Sequence, residues 1–230
     1  MDREAIILAG GFGTRLKGVL TDLPKPMAPV RGRPFLEYLL DFLSLNGFNH
    51  VVLSTGYMYE VIENHFGNRY RNITLTYSVE STPLGTGGAI MEALQHIGAD
   101  NFFVFNGDTI FKSDLAGMEK MHIESAADIT IAMRHSADTS RYGSIKMKKD
   151  NRITAFDEKS KSPSGGWING GTYLISMDSM AKVAIDMPFS IEKDLFAAGT
   201  EKFKILGFLS DGYFIDIGTP GDYERAQTEI

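Results

Sequence analysis

The sequence predicts an α/β fold with a mostly parallel sheet and helices on both faces. Three observations carry that expectation. Apolar strand-like runs alternate with helical patterns through the first half of the chain. One of those runs, Phe102-Phe103-Val104-Phe105, has no polar interruption, as a strand covered on both faces requires. The chain, at 230 residues, is long enough for one large domain with a substantial core.

Taken in order, Ile6-Ile7-Leu8 is a short buried strand that ends in Gly10-Gly11. Pro34 opens a helix whose apolar residues Phe35, Leu36, Leu39, Leu40 and Leu43 follow the spacing of one amphipathic face, and Gly47 stops it. Val51-Val52-Leu53 is a strand, residues 59–66 a helix closed by Gly67, and residues 73–79 an alternating strand. Residues 88–97 read as a helix leading to the run at 102–105. Beyond about residue 126 the texture changes. Residues 128–133, 144–148 and 152–156 read as strands with short connections, so this half is expected to be more antiparallel. Residues 160–166 are a loop and residues 168–175 a strand. Ser190 starts a short helix, and Thr219-Pro220 followed by Asp222 caps the last one. The expected organisation is one domain, with a core over about residues 1–126 and a β-rich lobe over about 127–230.

Composition narrows the function. The chain is 43% hydrophobic, 23% charged and 11% aromatic, which is ordinary for a globular protein. A net charge of −6 argues against broad nucleic-acid binding but leaves room for a small anionic substrate. No apolar run approaches the roughly 20 residues of a membrane helix, and the charged start lacks the order of a secretory signal. With no cysteine there are no disulfides or thiolate metal sites, and a cytoplasmic setting is expected. Assembly as a homo-oligomer is compatible with all of this.

The first strand feeds Ala9-Gly10-Gly11-Phe12-Gly13-Thr14-Arg15-Leu16. Clustered glycines let backbone amides approach phosphate oxygens, although a tight turn explains them as well. The dinucleotide pattern fails, because Leu16 stands where its third glycine belongs. The P-loop pattern fails too, because Val19 follows Gly18. Arg15 offers a planar fork for a polyphosphate, and Lys25, between Pro24 and Pro26, is a point charge on a stiffened segment.

GGFGTRL, then LPKPM, then GRPFLEY resembles the start of the sugar-phosphate nucleotidyltransferases, and the resemblance continues along nearly the whole chain. It implies a Rossmann-like nucleotide-binding core with a sugar-binding lobe. It also implies a Mg²⁺-dependent transfer between a nucleoside triphosphate and a sugar 1-phosphate. By that resemblance Gly10, Gly11, Gly13, Arg15 and Lys25 hold the triphosphate. Leu8, Ala9 and Thr14 flank them, and Pro83, Gly85, Thr86 and Gly107 belong to the same nucleotide side. Glu80 opens the segment resembling the base-reading loop; as an ionised acceptor it suits the two adjacent donors of guanine, which points to GTP, the alternative being a solvated strand end with the base read by the backbone of the glycines alone.

Asp108, in Asn106-Gly107-Asp108-Thr109, lies just past the carboxyl end of a buried strand, where α/β sheets bind ligands. Asp216 follows a second apolar strand. Unaided, the two read either as a metal pair or as ordinary turn aspartates; the resemblance makes both ligands of Mg²⁺. It further places Gly143 against the sugar, Glu158 on a sugar hydroxyl and Lys159 on the sugar's phosphate, although Ser160 stands where the family usually has proline. Asn169 and Gly171 match the strand that closes over the sugar. Residues 190–194 resemble a segment of the mannose- and heptose-type members, in which Glu192 reaches the sugar, although helix capping explains much of the same pattern. The rival readings are a non-catalytic nucleotide-sugar sensor, which Lys25 and both aspartates disfavour, and an NAD-dependent oxidoreductase, which the missing glycine disfavours.

Overall fold

The computed structural model describes residues 3–11, 23–157 and 165–230. β1 (Arg3–Leu8) enters the middle of the sheet, and the short strands β2 (Pro29–Val30) and β3 (Arg33–Pro34) pair with each other before the first helix. α1 (Phe35–Leu45) buries the five apolar residues its periodicity marks out. It ends at Gly47, whose φ of +79° is a left-handed conformation that a side chain disfavours. β4 (Phe48–Thr55), α2 (Tyr59–Phe66), β5 (Arg69–Tyr70) and β6 (Ile73–Val79) follow. α3 (Gly85–Ala93) begins three residues before the position its apolar pattern suggests, because three of its first four residues are glycines without a periodic signal. Then come β7 (Asn101–Asn106), β8 (Thr109–Phe111) and α4 (Leu115–Glu124). The second half contributes β9 (Ile129–Ser136), β10 (Ser144–Met147), β11 (Ile153–Asp157), β12 (Gly166–Ser176), α5 (Met177–Met180), a π-helical turn (Ile191–Ala197), β13 (Ile205–Leu209), β14 (Phe214–Asp216) and α6 (Pro220–Glu229). Thr219 caps α6 by accepting from the Asp222 N–H, as its sequence suggests.

Eight strands form one sheet in the order β13-β9-β12-β7-β1-β4-β6-β5. β1 is parallel to β4 and β7, β4 to β6, and β9 to β13. Only β12 and the edge strand β5 run against their neighbours. The second half is thus the more antiparallel one, as its short strand spacings suggest, with β13 beside β9 as the parallel exception. Its antiparallel pairs outside the large sheet are β10 with β11 and β8 with β14. A strand pattern read locally carries no direction, and β13 reaches its parallel partner β9 only through a long excursion of chain.

The pleat sorts adjacent apolar residues onto opposite faces. Ile7, Leu53, Phe103 and Phe105 pack with α1, α4 and α6 in one core. Ile6, Val52, Phe102 and Val104 pack with α3 and the π-helical turn in the other. Along the sheet, β1 connects to β4 on one side, and the chain returns through α3 to place β7 on the other side. The carboxyl ends of β1 and β7 thus flank a topological switch point, the place where such sheets open a crevice. Among the described residues no helix is long and apolar enough to cross a membrane.

Candidate active site

A cavity of about 550 Å³ lies at that switch point. Leu8, Ala9, Gly10 and Gly11 line it from the end of β1, and Ser54 and Gly56 from the end of β4. Glu80 and Pro83 come from the segment after β6, and Gly85 and Thr86 from α3. Asn106 ends β7 and Asp108 follows it, Lys25 closes one wall, and Glu192 stands at another. Residues far apart in sequence meet here because parallel strands all point their carboxyl ends the same way.

Lys25 starts a 3-10 turn between Pro24 and Pro26. Its ammonium donates to Asp108 Oδ2, with the lysine side chain 11% and the aspartate 35% exposed. The other Asp108 oxygen accepts from the Thr109 hydroxyl at 3.1 Å. Gly107 is held tightly behind them: its N–H donates to the Leu8 carbonyl at 2.9 Å, and a Cβ would stand 2.7 Å from that oxygen. Gly107 therefore joins the ends of β1 and β7 and does not itself line the cavity.

Asp216 meets Asp108 through the backbone. β14 pairs with β8 so that Asp216 stands opposite Thr109, and the Ile217 N–H donates to the Asp108 carbonyl at 3.0 Å. One Asp216 oxygen accepts from the Gly218 N–H at 2.7 Å and faces Arg141 at 3.6 Å; the other accepts from the Tyr142 hydroxyl. Burial, and then this bond, push the Tyr142 phenol well above its ordinary range. Arg141 also pairs with Asp222 at 2.7 Å. Burial raises the Asp222 carboxyl, but the bonds from Arg141 and Thr219 outweigh it and bring the group below the usual range. Neither Arg141 nor Tyr142 carries a sequence signal as an Asp216 partner.

Glu80 leaves β6 with its N–H on the Thr55 carbonyl at 2.8 Å. Its carboxylate is half-buried and accepts the Leu84 N–H at 2.9 Å. Burial raises its pKa, and the Leu84 bond opposes that rise. Glu192 accepts from the Thr86 hydroxyl across the cavity at 2.8 Å. Of the residues expected on the sugar side, Asn169 donates through Nδ2 to the Tyr173 hydroxyl at 2.9 Å and accepts the Gly171 N–H at 2.8 Å. Gly143 turns with a φ of +76° beside Tyr142. Gly143, Asn169, Gly171 and Asp216 are not in the cavity lining. Gly13, Thr14, Arg15, Glu158 and Lys159 lie outside the described residues.

The donor set suits a hard divalent cation. Mg²⁺ takes oxygen ligands, typically one or two carboxylates completed by substrate phosphates; Asp108 lines the cavity, and Asp216, at the end of β14, stands opposite its neighbour Thr109. Among the described residues no group of three or more His, Asp or Glu side chains forms an all-protein cage.

Comparison with known proteins agrees with this geometry. Residues 4–230 match the nucleotidyl transferase family. The chain is 45% identical to a D-glycero-α-D-manno-heptose 1-phosphate guanylyltransferase of Aneurinibacillus thermoaerophilus, covering 99% of this chain and 98% of the relative. It is 34% identical to a mannose-1-phosphate guanylyltransferase of Mycobacterium tuberculosis, covering 99% of this chain and 64% of that protein. The crystal structure of HddC from Yersinia pseudotuberculosis complexed with GMP-PN superposes with a TM-score of 0.86 at 36% identity, covering 99% of both chains. With the family matched from end to end and the cavity at the strand ends, the chain belongs to the nucleotidyl transferases.

Proposed function

We propose that this protein transfers the guanylyl group of GTP to D-glycero-α-D-manno-heptose 1-phosphate, releasing pyrophosphate and forming the GDP-sugar. The observation that carries the reading is the full-length similarity to a protein of that name, joined to a carboxylate, Glu80, in the cavity wall beside α3. Mannose 1-phosphate is the second acceptor to test, on the 34% identity to the mycobacterial protein.

The chemistry needs no covalent intermediate. An oxygen of the sugar phosphate attacks the α-phosphorus in line, and pyrophosphate leaves from the opposite side, so positioning and charge stabilisation do most of the work. The backbone of Gly10, Gly11 and Gly13 comes close to the triphosphate, with Arg15 and Lys25 neutralising it. Lys159 holds the attacking phosphate, while Glu158 and Asn169 bond sugar hydroxyls and Gly143 and Gly171 leave room for the ring. Asp108 and Asp216 would hold Mg²⁺, which when bound neutralises phosphate charge and lowers the repulsion between two anions. Lys25 then exchanges its contact with Asp108 for the triphosphate, a short swing for a flexible side chain already lining the cavity.

Glu80 reads the base. Guanine presents a ring N–H and an exocyclic amine side by side, and a carboxylate accepts both. Uracil and thymine present one donor between two carbonyl oxygens, which face a carboxylate unfavourably. Glu80→Gln should weaken use of GTP by roughly 5- to 100-fold and raise the tolerance of UTP or dTTP. Competition among the four triphosphates in a pyrophosphate-release assay reads this out. An unchanged nucleotide profile in Glu80→Gln would remove Glu80 from base recognition.

A further inference from the structure

The family resemblance puts Glu192 on the sugar, but its surroundings give it another task. One carboxylate oxygen accepts from two hydroxyls, Thr86 at 2.8 Å and Ser190 at 2.9 Å. The other lies 3.4 Å from the Tyr173 hydroxyl, which belongs to a fully buried side chain. Thr86 is on the nucleotide side, in the first turn of α3, and its oxygen also accepts the Ile191 N–H at 2.9 Å. Two backbone bonds run alongside: the Phe189 N–H donates to the Leu84 carbonyl and the Gly87 N–H to the Phe189 carbonyl, each at 3.0 Å.

The glycines of this turn are explained by the same contact. A Cβ on Gly85 would stand 2.4 Å from the Phe189 carbonyl oxygen, with φ at +73°. A Cβ on Gly87 would stand 2.0 Å from the Phe189 ring. Residues 189–192 therefore lie directly on the start of α3, and Glu192 is the side chain that ties the two together at the cavity.

We propose that Glu192 is a positioning residue for the nucleotide: through Thr86 it fixes the first turn of α3, independently of any contact with the sugar. The inference rests on the nucleotide-transfer reading of this cavity. A side-chain oxygen acceptor is needed because Thr86 and Ser190 both present hydroxyl donors to a single oxygen, and the charge of the carboxylate strengthens both bonds. Without it, Thr86 loses its acceptor, and the turn keeps only the Ile191 N–H bond to Thr86 and the two backbone bonds to Phe189.

The test is GTP binding in the presence of Mg²⁺ and without any sugar phosphate, measured by calorimetry. Glu192→Ala and Thr86→Val should each weaken GTP roughly 5- to 50-fold. The double variant should be weakened by clearly less than the product of the two single effects, since both remove the Thr86–Glu192 bond. Glu192→Gln and Thr86→Ser, which keep part of the bond, should bind more tightly than Glu192→Ala and Thr86→Val. Hydrogen exchange without ligand gives a second readout: the Gly87 and Ile191 amides should exchange faster in Glu192→Ala, and in Glu192→Gln to a smaller degree. GTP binding within twofold of wild type, with only the KM for sugar phosphate raised, would make Glu192 a sugar contact and overturn the proposal. Additive effects in the double variant, or unchanged amide exchange, would overturn it as well. If the wild-type protein bound no GTP, the functional reading would fail, whereas the exchange measurement would still decide the positioning role.

Discussion

Lys25 and Asp108 form an ion pair in the cavity lining. Lys25→Ala should raise the KM for GTP by roughly 10- to 150-fold while leaving the KM for sugar phosphate within a few-fold, as separate substrate titrations would show. Asp108→Asn and Asp216→Asn should each lose most turnover and keep the wild-type circular dichroism spectrum. A chelator should abolish turnover of the native enzyme and Mg²⁺ should restore it. His122 is a different kind of residue. It is buried between Thr130 and Asn101, and burial lowers its pKa to about 4. Between about pH 6.5 and 4 the unfolded chain takes up a proton that the native chain refuses. The stability from neutral His122 is therefore fully present above 6.5 and is lost as the pH falls towards 4, by up to about 3 kcal/mol. Urea midpoints at pH 7.5 and pH 5 should differ less in His122→Gln than in the wild type. Lys25, Asp108 and Glu80 were legible in the sequence because each sits in a local pattern of glycine, proline or strand end. Arg141 and Tyr142 were not legible as partners of Asp216, because that contact is made between elements with a long stretch of chain between them.

Among the elements, α3 separates what periodicity can reveal from what packing decides. Its apolar residues Ile90 and Ala93 were visible, yet its first turn is made of glycines whose reason is a loop about a hundred residues later. One glycine in α3 and one in α6 should respond oppositely to alanine. Gly85→Ala meets a backbone carbonyl and a positive φ, and should cost about 1–3 kcal/mol or more. A methyl group on Gly221, in the first turn of α6, would meet nothing within 4 Å, so Gly221→Ala should be neutral or stabilise by up to about 1 kcal/mol. Equilibrium unfolding in urea distinguishes the two signs. The helices α1, α2 and α6 were legible from their amphipathic spacing, prolines and caps. α4 was not, since its buried residues are only Leu115, Met118 and His122, too sparse a stripe to stand out. The direction of β9 and β13 was also hidden, because pairing partners are chosen by the fold and not by the strand.

The described residues build one eight-stranded sheet between two cores, with three two-stranded sheets beside it, and the cavity lies where the strand order reverses at β1 and β7. The α/β class and the parallel first half followed from alternation alone. The meeting of Asp108 with Asp216 did not, because it needs the β8–β14 pair that only the folded chain shows. The decisive experiment is a pyrophosphate-release assay crossing GTP, ATP, UTP and dTTP with D-glycero-α-D-manno-heptose 1-phosphate and mannose 1-phosphate, with the nucleotide-sugar product identified by mass. Guanylyl transfer requires the highest kcat/KM for GTP with the heptose phosphate, one pyrophosphate per GDP-heptose formed. No pyrophosphate from GTP with either sugar, or faster turnover of UTP or dTTP, would contradict it.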